Sequence, residues 1–154
     1  MIWMKNILPA TTQRVAAYTD PDVNEMIRSV TLETLSDLED AEEEELSRRI
    51  HRLNAEWDTE RFTEAKAAMC IMGCSLFGMS KHRFWSLLTM LAGAALLQHA
   101  LLGWCPSTPV MRKMGIRTAE EISQEKTVLK MLRKDFAHAK LNDAESLLKA
   151  AEKQ

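Results

Sequence analysis

The longest stretch without a charged side chain constrains this sequence more than any other feature. Residues 84–105, FWSLLTMLAGAALLQHALLGWC, contain no Asp, Glu, Lys or Arg, although these four types make up 27% of the chain. As a helix with about 1.5 Å of rise per residue, this stretch would extend about 33 Å, close to the hydrocarbon thickness of a bilayer, about 30 Å. The stretch therefore predicts a membrane-spanning helix.

A shorter apolar run lies before this stretch in the chain. Residues 67–79 carry no charge, and the run lengthens to 19 residues when it is counted over residues 62–80. Residues 62–80 can span a membrane provided that the ammonium of Lys66 extends toward the lipid headgroups and Glu64 lies at the interface. Residues 62–80 and 84–105, joined by a tight turn, are then predicted to form a two-helix transmembrane hairpin.

A soluble alternative stays open at this point. A helical hairpin buried in a four-helix globule would also be apolar on all sides, and a run of 13 residues has the length of a core helix.

The segment before the hairpin is rich in charge and has helical periodicity. Asp20-Pro21 combines a capping side chain with a proline suited to the first turn, so a helix is predicted to begin there. Asp37 to Asp40 loosens or ends that helix. A second helix is predicted from Glu42 onward, continuing without a break toward Met72. Its apolar stripe consists of Leu46, Ile50, Leu53 and Trp57, opposite the i,i+4 pairs Glu44/Arg48 and Glu45/Arg49.

The segment after the hairpin opens with Pro106 and Pro109, which are predicted to end the second span. Thr118 followed by Glu121 has the form of a capping box, so a last amphipathic helix should begin there. Its stripe consists of Ile122, Leu129, Leu132 and Phe136. The two stripes are predicted contact surfaces, either for each other or for a second copy of the chain.

These patterns predict an all-α protein in four regions. They are an N-terminal tail (residues 1–19), an amphipathic helical region (20–61), the transmembrane hairpin (62–106) and a C-terminal amphipathic helix and tail (107–154). Seven Lys or Arg precede residue 62 and ten follow residue 109, against two in the turn, so both termini are predicted to be cytoplasmic.

The overall composition excludes several function classes. A net charge of −2 provides no basic face for nucleic acid. Three cysteines without a Cys-x-x-Cys pattern do not make a disulfide framework. We predict no cofactor and no metal site. Cys70 and Cys74 are first of all small apolar side chains. A metal or redox pair is the alternative, but a metal site needs three or four ligands, and His99 is the one distant candidate for a further ligand.

Small and aromatic side chains indicate how the hairpin would be held. Without a hydrophobic effect between helices in lipid, close approach depends on small residues and a few polar contacts. The predicted packing residues are Cys70, Cys74, Gly78, Ala92, His99 and Gly103. Trp57, Trp85 and Trp104 are predicted membrane anchors, since indoles favour the interface. His99 is either a neutral imidazole hydrogen-bonded within the helix pair, helped by Gln98 or a backbone carbonyl, or a ligand or proton-handling group.

Cys105 is the one candidate catalytic residue. It lies at the exit of the second run, followed by Pro106 and three basic residues. A cationic, half-exposed setting lowers a thiol pKa, which would suit sulfur transfer, whereas a cysteine at a helix end often only packs.

The stretch LLQHALLGWCPSTPVMRKMGIRT resembles the signature of the YgaP-like two-helix inner-membrane domain, in which the second span ends in Gly-Phe/Trp-Cys-Pro. Stand-alone bacterial members also have an EWD.ER motif before the first span, matched here by residues 56–61. A motif EI..EK..LK.LR.DF after the second span is matched by residues 121–136. The resemblance covers roughly residues 20–136.

The resemblance implies a short membrane hairpin of undefined activity in the inner membrane, at times fused to a rhodanese domain, for which this chain has no room. Together with the residues it predicts a membrane-anchored structural or interaction module without catalysis. Its expected partners are the lipid bilayer and a possible homo-oligomer or membrane partner. The alternative is a persulfide relay through Cys105, the residue matching the motif cysteine, with a separate rhodanese-type sulfurtransferase. Transport through an oligomer is a weaker third possibility.

Overall fold

The computed structural model describes residues 9–78, 83–137 and 143–153, and in these ranges every regular element is a helix. The helices are α1 (Arg14–Ala17), α2 (Pro21–Asp37), α3 (Glu43–Ala55), α4 (Thr59–Gly78), α5 (Arg83–Leu102), α6 (Thr108–Lys113), α7 (Ala119–Leu132) and α8 (Ala144–Glu152). The predicted all-α class is confirmed. The turn of the hairpin falls on residues 79–82, outside the described residues.

The helix starts follow local capping chemistry. α2 begins at Pro21 and ends at Asp37, both as predicted. The predicted continuous helix from Glu42 to Met72 is wrong, because α3 ends at Ala55 and a new helix begins at Thr59. The side chain of Asp58 accepts a hydrogen bond of 2.7 Å from the backbone N–H of Arg61, the geometry of an N-terminal cap.

The end of α5 also differs from the prediction. The helix ends at Leu102, and Gly103 follows with φ +74°, a left-handed conformation that terminates helices and favours glycine. Trp104 and Cys105 therefore lie beyond the helix. Pro109 does not end the second span either; it occupies the first turn of α6, where its missing N–H costs nothing.

The chain divides into two units. The hairpin unit comprises the described residues up to Asn24 together with Trp57–Thr118, and the charged unit comprises Glu25–Glu56 together with the described residues from Ala119. In the hairpin unit α4 packs along α5, and α6 packs on α4, where the Thr63 hydroxyl lies 3.9 Å from the Met111 sulfur.

The charged unit has a conventional apolar core between α3 and α7. Its buried members are Leu46, Ile50, Leu53, Ile122 and Leu129, with Leu35, Leu38, Ala41 and Leu132 packed against them. The two predicted stripes thus contact each other, apart from one residue of each. Trp57 is exposed and belongs to the hairpin unit, and Phe136 is half-buried outside this core.

An ion pair of the charged unit connects two different helices. Arg49 pairs with Glu125 of α7 through contacts of 2.7 Å, rather than with Glu45 as predicted. The Glu125 side chain is fully buried, so this pair fixes the register between α3 and α7.

Candidate functional site

Polar side chains of the hairpin unit gather where α4 begins and α5 ends, a region we call the hairpin base (Arg14, Glu60, Lys66, His99, Cys105 and Ser107). From α1, Arg14 donates to the backbone carbonyl of Ala100 at 2.6 Å and forms an ion pair with Glu60 of α4. The carbonyls in the last turn of a helix have no partner within that helix. Arg14 therefore satisfies one of them and attaches α1 to both helices of the hairpin.

Gly103 allows this attachment. A Cβ atom at Gly103 would lie 2.6 Å from the backbone carbonyl carbon of Arg14 and equally close to its Cγ, so a larger residue cannot fit. We predicted Gly103 as a packing residue between the two hairpin helices. Its close neighbour is instead α1, because Gly103 lies beyond the end of α5.

His99 is the buried side chain of α5, at 3% exposure. Neither Nδ1 nor Nε2 has a hydrogen-bond partner among the described residues, so the expected bond to Gln98 or a backbone carbonyl is not formed. An unpaired buried polar group costs about 1–3 kcal/mol. His99 thus packs at the hairpin base with both ring nitrogens unpaired, at a cost to stability.

Cys105 lies in a small network of hydroxyl groups. Its sulfur is 3.1 Å from the Ser107 hydroxyl and 3.3 Å from the Thr108 hydroxyl, and Lys66 of α4 donates to the Ser107 oxygen. Burial by itself would raise the pKa of the Cys105 thiol. The hydrogen bonds from Ser107 and Thr108, with the positive charge of Lys66, outweigh burial and lower that pKa.

Two expectations for Cys105 are corrected by this geometry. The side chain is 3% exposed rather than half-exposed, and the cation that lowers its pKa is Lys66 from the first hairpin helix rather than the three basic residues that follow it. Lys66 is also held by Ser107 rather than extended freely toward headgroups. Chemically, the site stabilises a thiolate, but it leaves no open path for a large sulfur donor.

Arg112 is a structural residue that the sequence analysis missed. Its side chain is fully buried in the hairpin unit, with Nη2 donating to the Asn24 side chain at 2.9 Å and Nη1 donating to the Ile116 carbonyl at 3.2 Å. We had counted it only as one of the basic residues after the second span. Its spacing carries no signal that separates a buried arginine from an exposed one.

Cys70 and Cys74 lie one turn apart on α4 with their sulfur atoms 4.0 Å apart. Cys74 is buried, but Cys70 is exposed, so Cys70 does not pack within the hairpin as predicted. Gly78 does lie close to α5, since a Cβ there would be 3.6 Å from the Trp85 Cβ. Ala92 is half-buried.

The three tryptophans differ in their surroundings. Trp85 stacks on Phe77 of α4 with ring centroids 4.9 Å apart, near the turn of the hairpin. Trp57 is exposed, with the Arg61 guanidinium 5.9 Å from its ring centroid. Trp104 is half-buried after the end of α5. Trp57 and Trp104 therefore flank the base and Trp85 the opposite end, while membrane anchoring stays a prediction.

A metal site would require several ligand side chains close together. Within residues 9–78, 83–137 and 143–153, no three or more His, Cys, Asp or Glu side chains come together in a way that could hold a metal ion.

In the described part of the chain, α5 is the helix that is long and apolar enough to cross a membrane. It has 20 residues and a mean hydropathy of 1.5 over its most apolar part, and 6% of that part is buried. By the same criteria of length and composition, α4 does not qualify.

Comparison with known proteins gives one match. No curated protein and no solved structure matches the chain. Residues 58–121 match the family described as "Inner membrane protein YgaP-like, transmembrane domain". This range begins just before α4 and reaches the start of α7, so it is narrower than the resemblance over residues 20–136. Residues 58–121, which carry α4, α5 and α6, are thus similar to the YgaP-like transmembrane domain, and this match supports an inner-membrane location.

Proposed function

We propose that the protein is a membrane-anchored structural or interaction module. In this proposal α4 and α5 both cross the inner membrane as a hairpin, and the residues before α4 and after α5 are cytoplasmic. The charged unit is then the cytoplasmic part that a partner would contact.

The observation that carries the proposal is the exposure of apolar side chains along α5. Phe84, Met90 and Leu97 are each more than 60% exposed, whereas the core helix of a soluble globule would bury such residues. Leaving one of them in water instead of an apolar environment forfeits about 1.5–3 kcal/mol. Lipid around α5 removes that loss, which favours the membrane over the soluble alternative.

The case for α4 as a second span rests on the same exposure and on its polar end. Met69, Met72 and Leu76 are exposed. The part of α4 after Lys66 comprises residues 67–78, and at about 1.5 Å per residue it is shorter than the hydrocarbon layer. Since Glu60 and Lys66 have polar partners at the hairpin base, the first turns of α4 can lie at the interface while the bilayer adapts to the shorter span.

An interaction role leaves some surfaces unavailable. The apolar stripes of α3 and α7 are buried against each other in the core of the charged unit. A partner or a second copy would therefore have to contact other surfaces of the charged unit.

The persulfide relay through Cys105 is not carried forward. The family match concerns the transmembrane domain and lends no support to a sulfurtransferase partner. Cys105 is also almost completely buried, which closes it to the persulfide of another protein. We assign the Cys105 thiol to the hydrogen-bond network of the hairpin base.

Reporter fusions test the topology. A cytoplasm-active reporter should work at both termini of the full chain, and a periplasm-active reporter should work only when it is inserted between Gly78 and Arg83. The protein should also resist extraction by alkaline carbonate. Termini on opposite sides would show that α4 does not cross, and extraction by carbonate would reject the membrane anchor itself.

A further inference from the structure

We propose that Cys70 and Cys74 form a dithiol site for trivalent arsenic, bound as arsenous acid or as a monosubstituted arsenical. The two sulfur atoms lie 4.0 Å apart on consecutive turns of α4, and neither takes part in a disulfide. Because the helix holds both side chains on one face, a single atom can bridge them after small side-chain rotations. The second thiol reacts within the same molecule, which favours a bidentate adduct over binding to separate thiols.

The surroundings of the pair provide access and room. Cys70 is exposed, so the first sulfur is open to a small reagent. Cys74 lines a groove of about 360 Å³ together with Ser75, Gly78, Ser86 and Thr89. The small side chains along this groove leave space beside Cys74 for the third substituent of a bound arsenical.

The reaction is a condensation without oxidation or reduction. When arsenous acid, As(OH)₃, reacts with two thiols, two As–O and two S–H bonds break, two As–S bonds form, and two water molecules leave. A monosubstituted arsenic oxide, R–As=O, reacts with the same two thiols and releases one water. In both cases arsenic remains trivalent and the adduct is neutral.

The donor set favours trivalent arsenic over zinc. Structural zinc sites need four protein ligands, and no third His, Cys, Asp or Glu side chain joins this pair among the described residues. Trivalent arsenic needs only two sulfurs, because its third position is filled by its own hydroxyl or organic group. The adduct carries no charge, so a low-dielectric environment favours it over any adduct that would keep an ionised thiolate. This last preference rests on the proposed membrane insertion, whereas the dithiol itself does not.

Cys105 supplies an internal control. It is a third free thiol in the same chain, but it is buried, and its sulfur contacts the hydroxyl groups of Ser107 and Thr108. A reagent that requires two neighbouring thiols should therefore ignore it.

The test is a titration of the full chain, reduced and purified in detergent, with phenylarsine oxide in the presence of excess glutathione. Intact mass spectrometry should show one phenylarsenic group per chain, with loss of one water. Cys70→Ser and Cys74→Ser should each weaken retention about a hundredfold, since each removes the intramolecular second thiol. Cys105→Ser should retain one group per chain, and helical circular dichroism should confirm that all variants are folded.

Either of two results would overturn the proposal: wild-type protein that takes up no arsenical under these conditions, or a Cys70→Ser variant that retains it as well as wild type does. Failure of the site is distinguishable from failure of the membrane anchor. A chain that is extracted by carbonate yet binds the arsenical rejects the anchor and keeps the site, and a membrane-bound chain without binding rejects the site alone.

Discussion

The two units of this chain differ in which side chains they bury most deeply, although each also buries some of the other kind. In the charged unit the fully buried side chains include Ile50 and Leu129, and the surface carries the Glu- and Arg-rich faces of α3. In the hairpin unit the most deeply buried side chains are polar, among them Thr59, Thr108 and Arg112, and the exposed ones are Met, Leu and Phe of α4 and α5.

The proposed membrane insertion of α4 and α5 accounts for this difference, because burial then follows the solvent around each unit rather than a fixed preference of residue types. Water drives apolar groups inward in the charged unit. In lipid, apolar side chains gain nothing from burial, and polar side chains find no hydrogen-bond partner in the solvent. The hairpin unit therefore places its polar groups against one another. The same chain thus follows both rules, and substitutions can test each one.

The largest effect should come from a charge in the core of the charged unit. Leu53→Glu places a carboxylate at a position that is 2% exposed, and should lower the free energy of unfolding by about 4 kcal/mol or more. Hydrogen exchange should show loss of protection in α3 and α7, with membrane insertion unchanged. Leu53→Met is the matched control and should remain protected. Persistent protection in Leu53→Glu would contradict this core.

A charge on the exposed face of α5 should be the next most costly. Leu91 is 54% exposed near the middle of α5; in water Leu91→Asp would be nearly neutral, but in a bilayer it should cost about 3 kcal/mol of insertion free energy. Carbonate extraction should release Leu91→Asp more readily than Leu91→Ala. Equal release of these two variants by carbonate would contradict the proposal that lipid surrounds α5 while water surrounds the charged unit.

The attachment of α1 should be sensitive to a single methyl group. Gly103→Ala introduces a Cβ into backbone of Arg14 at a residue with φ +74°, and should cost about 2 kcal/mol. Faster hydrogen exchange in α1 would report the effect. Gly93→Ala is the matched control, because no atom lies within 4 Å of its added Cβ. An effect of Gly93→Ala as large as that of Gly103→Ala would contradict this account.

The smallest of these effects concerns Asp135 in the charged unit. Arg133 donates to its carboxylate at 2.7 Å and Lys153 at 3.0 Å. Burial would raise the pKa of Asp135, but these partners outweigh burial and lower that pKa. The stabilisation is therefore complete above the pKa of an unfolded Asp, about 3.9, and is lost as the pH falls through the lower folded value.

Asp135→Asn should cost about 1.5 kcal/mol at neutral pH and flatten the decline of stability on acidification. Thermal unfolding between neutral pH and pH 3 measures both effects. If Asp135→Asn lost stability on acidification in the same way as wild type, other carboxylates would be responsible for the acid sensitivity.

Several elements could be read from short-range patterns. The cap at Asp20-Pro21 located the start of α2, and the apolar spacing located the core faces of α3 and α7. The break between α3 and α4 was missed because apolar and helix-forming residues continue across it. The signal for a new helix is Asp58, whose side chain caps the start of α4. The end of α5 at Leu102 was missed because Gly103 was treated as a packing residue instead of a terminator.

The hairpin base was predictable only in part. Cys105 and His99 were singled out, but the cation that acts on Cys105, the arginine that holds α1 and the buried role of Arg112 were not. Each of these involves residues that are far apart in the chain, as with Lys66 and Ser107.

The amino-acid sequence alone determined the all-helical class, which helix faces are apolar and which segment is suited to lipid, because periodicity and uninterrupted apolar length are local properties. Only the tertiary structure decided which polar groups meet: Arg49 with Glu125, Arg14 with Glu60, and Lys66 with the Cys105 network. The physical reason is that a charge has many possible partners of opposite sign along a chain. The packing of the apolar faces brings only a few of them within hydrogen-bonding distance.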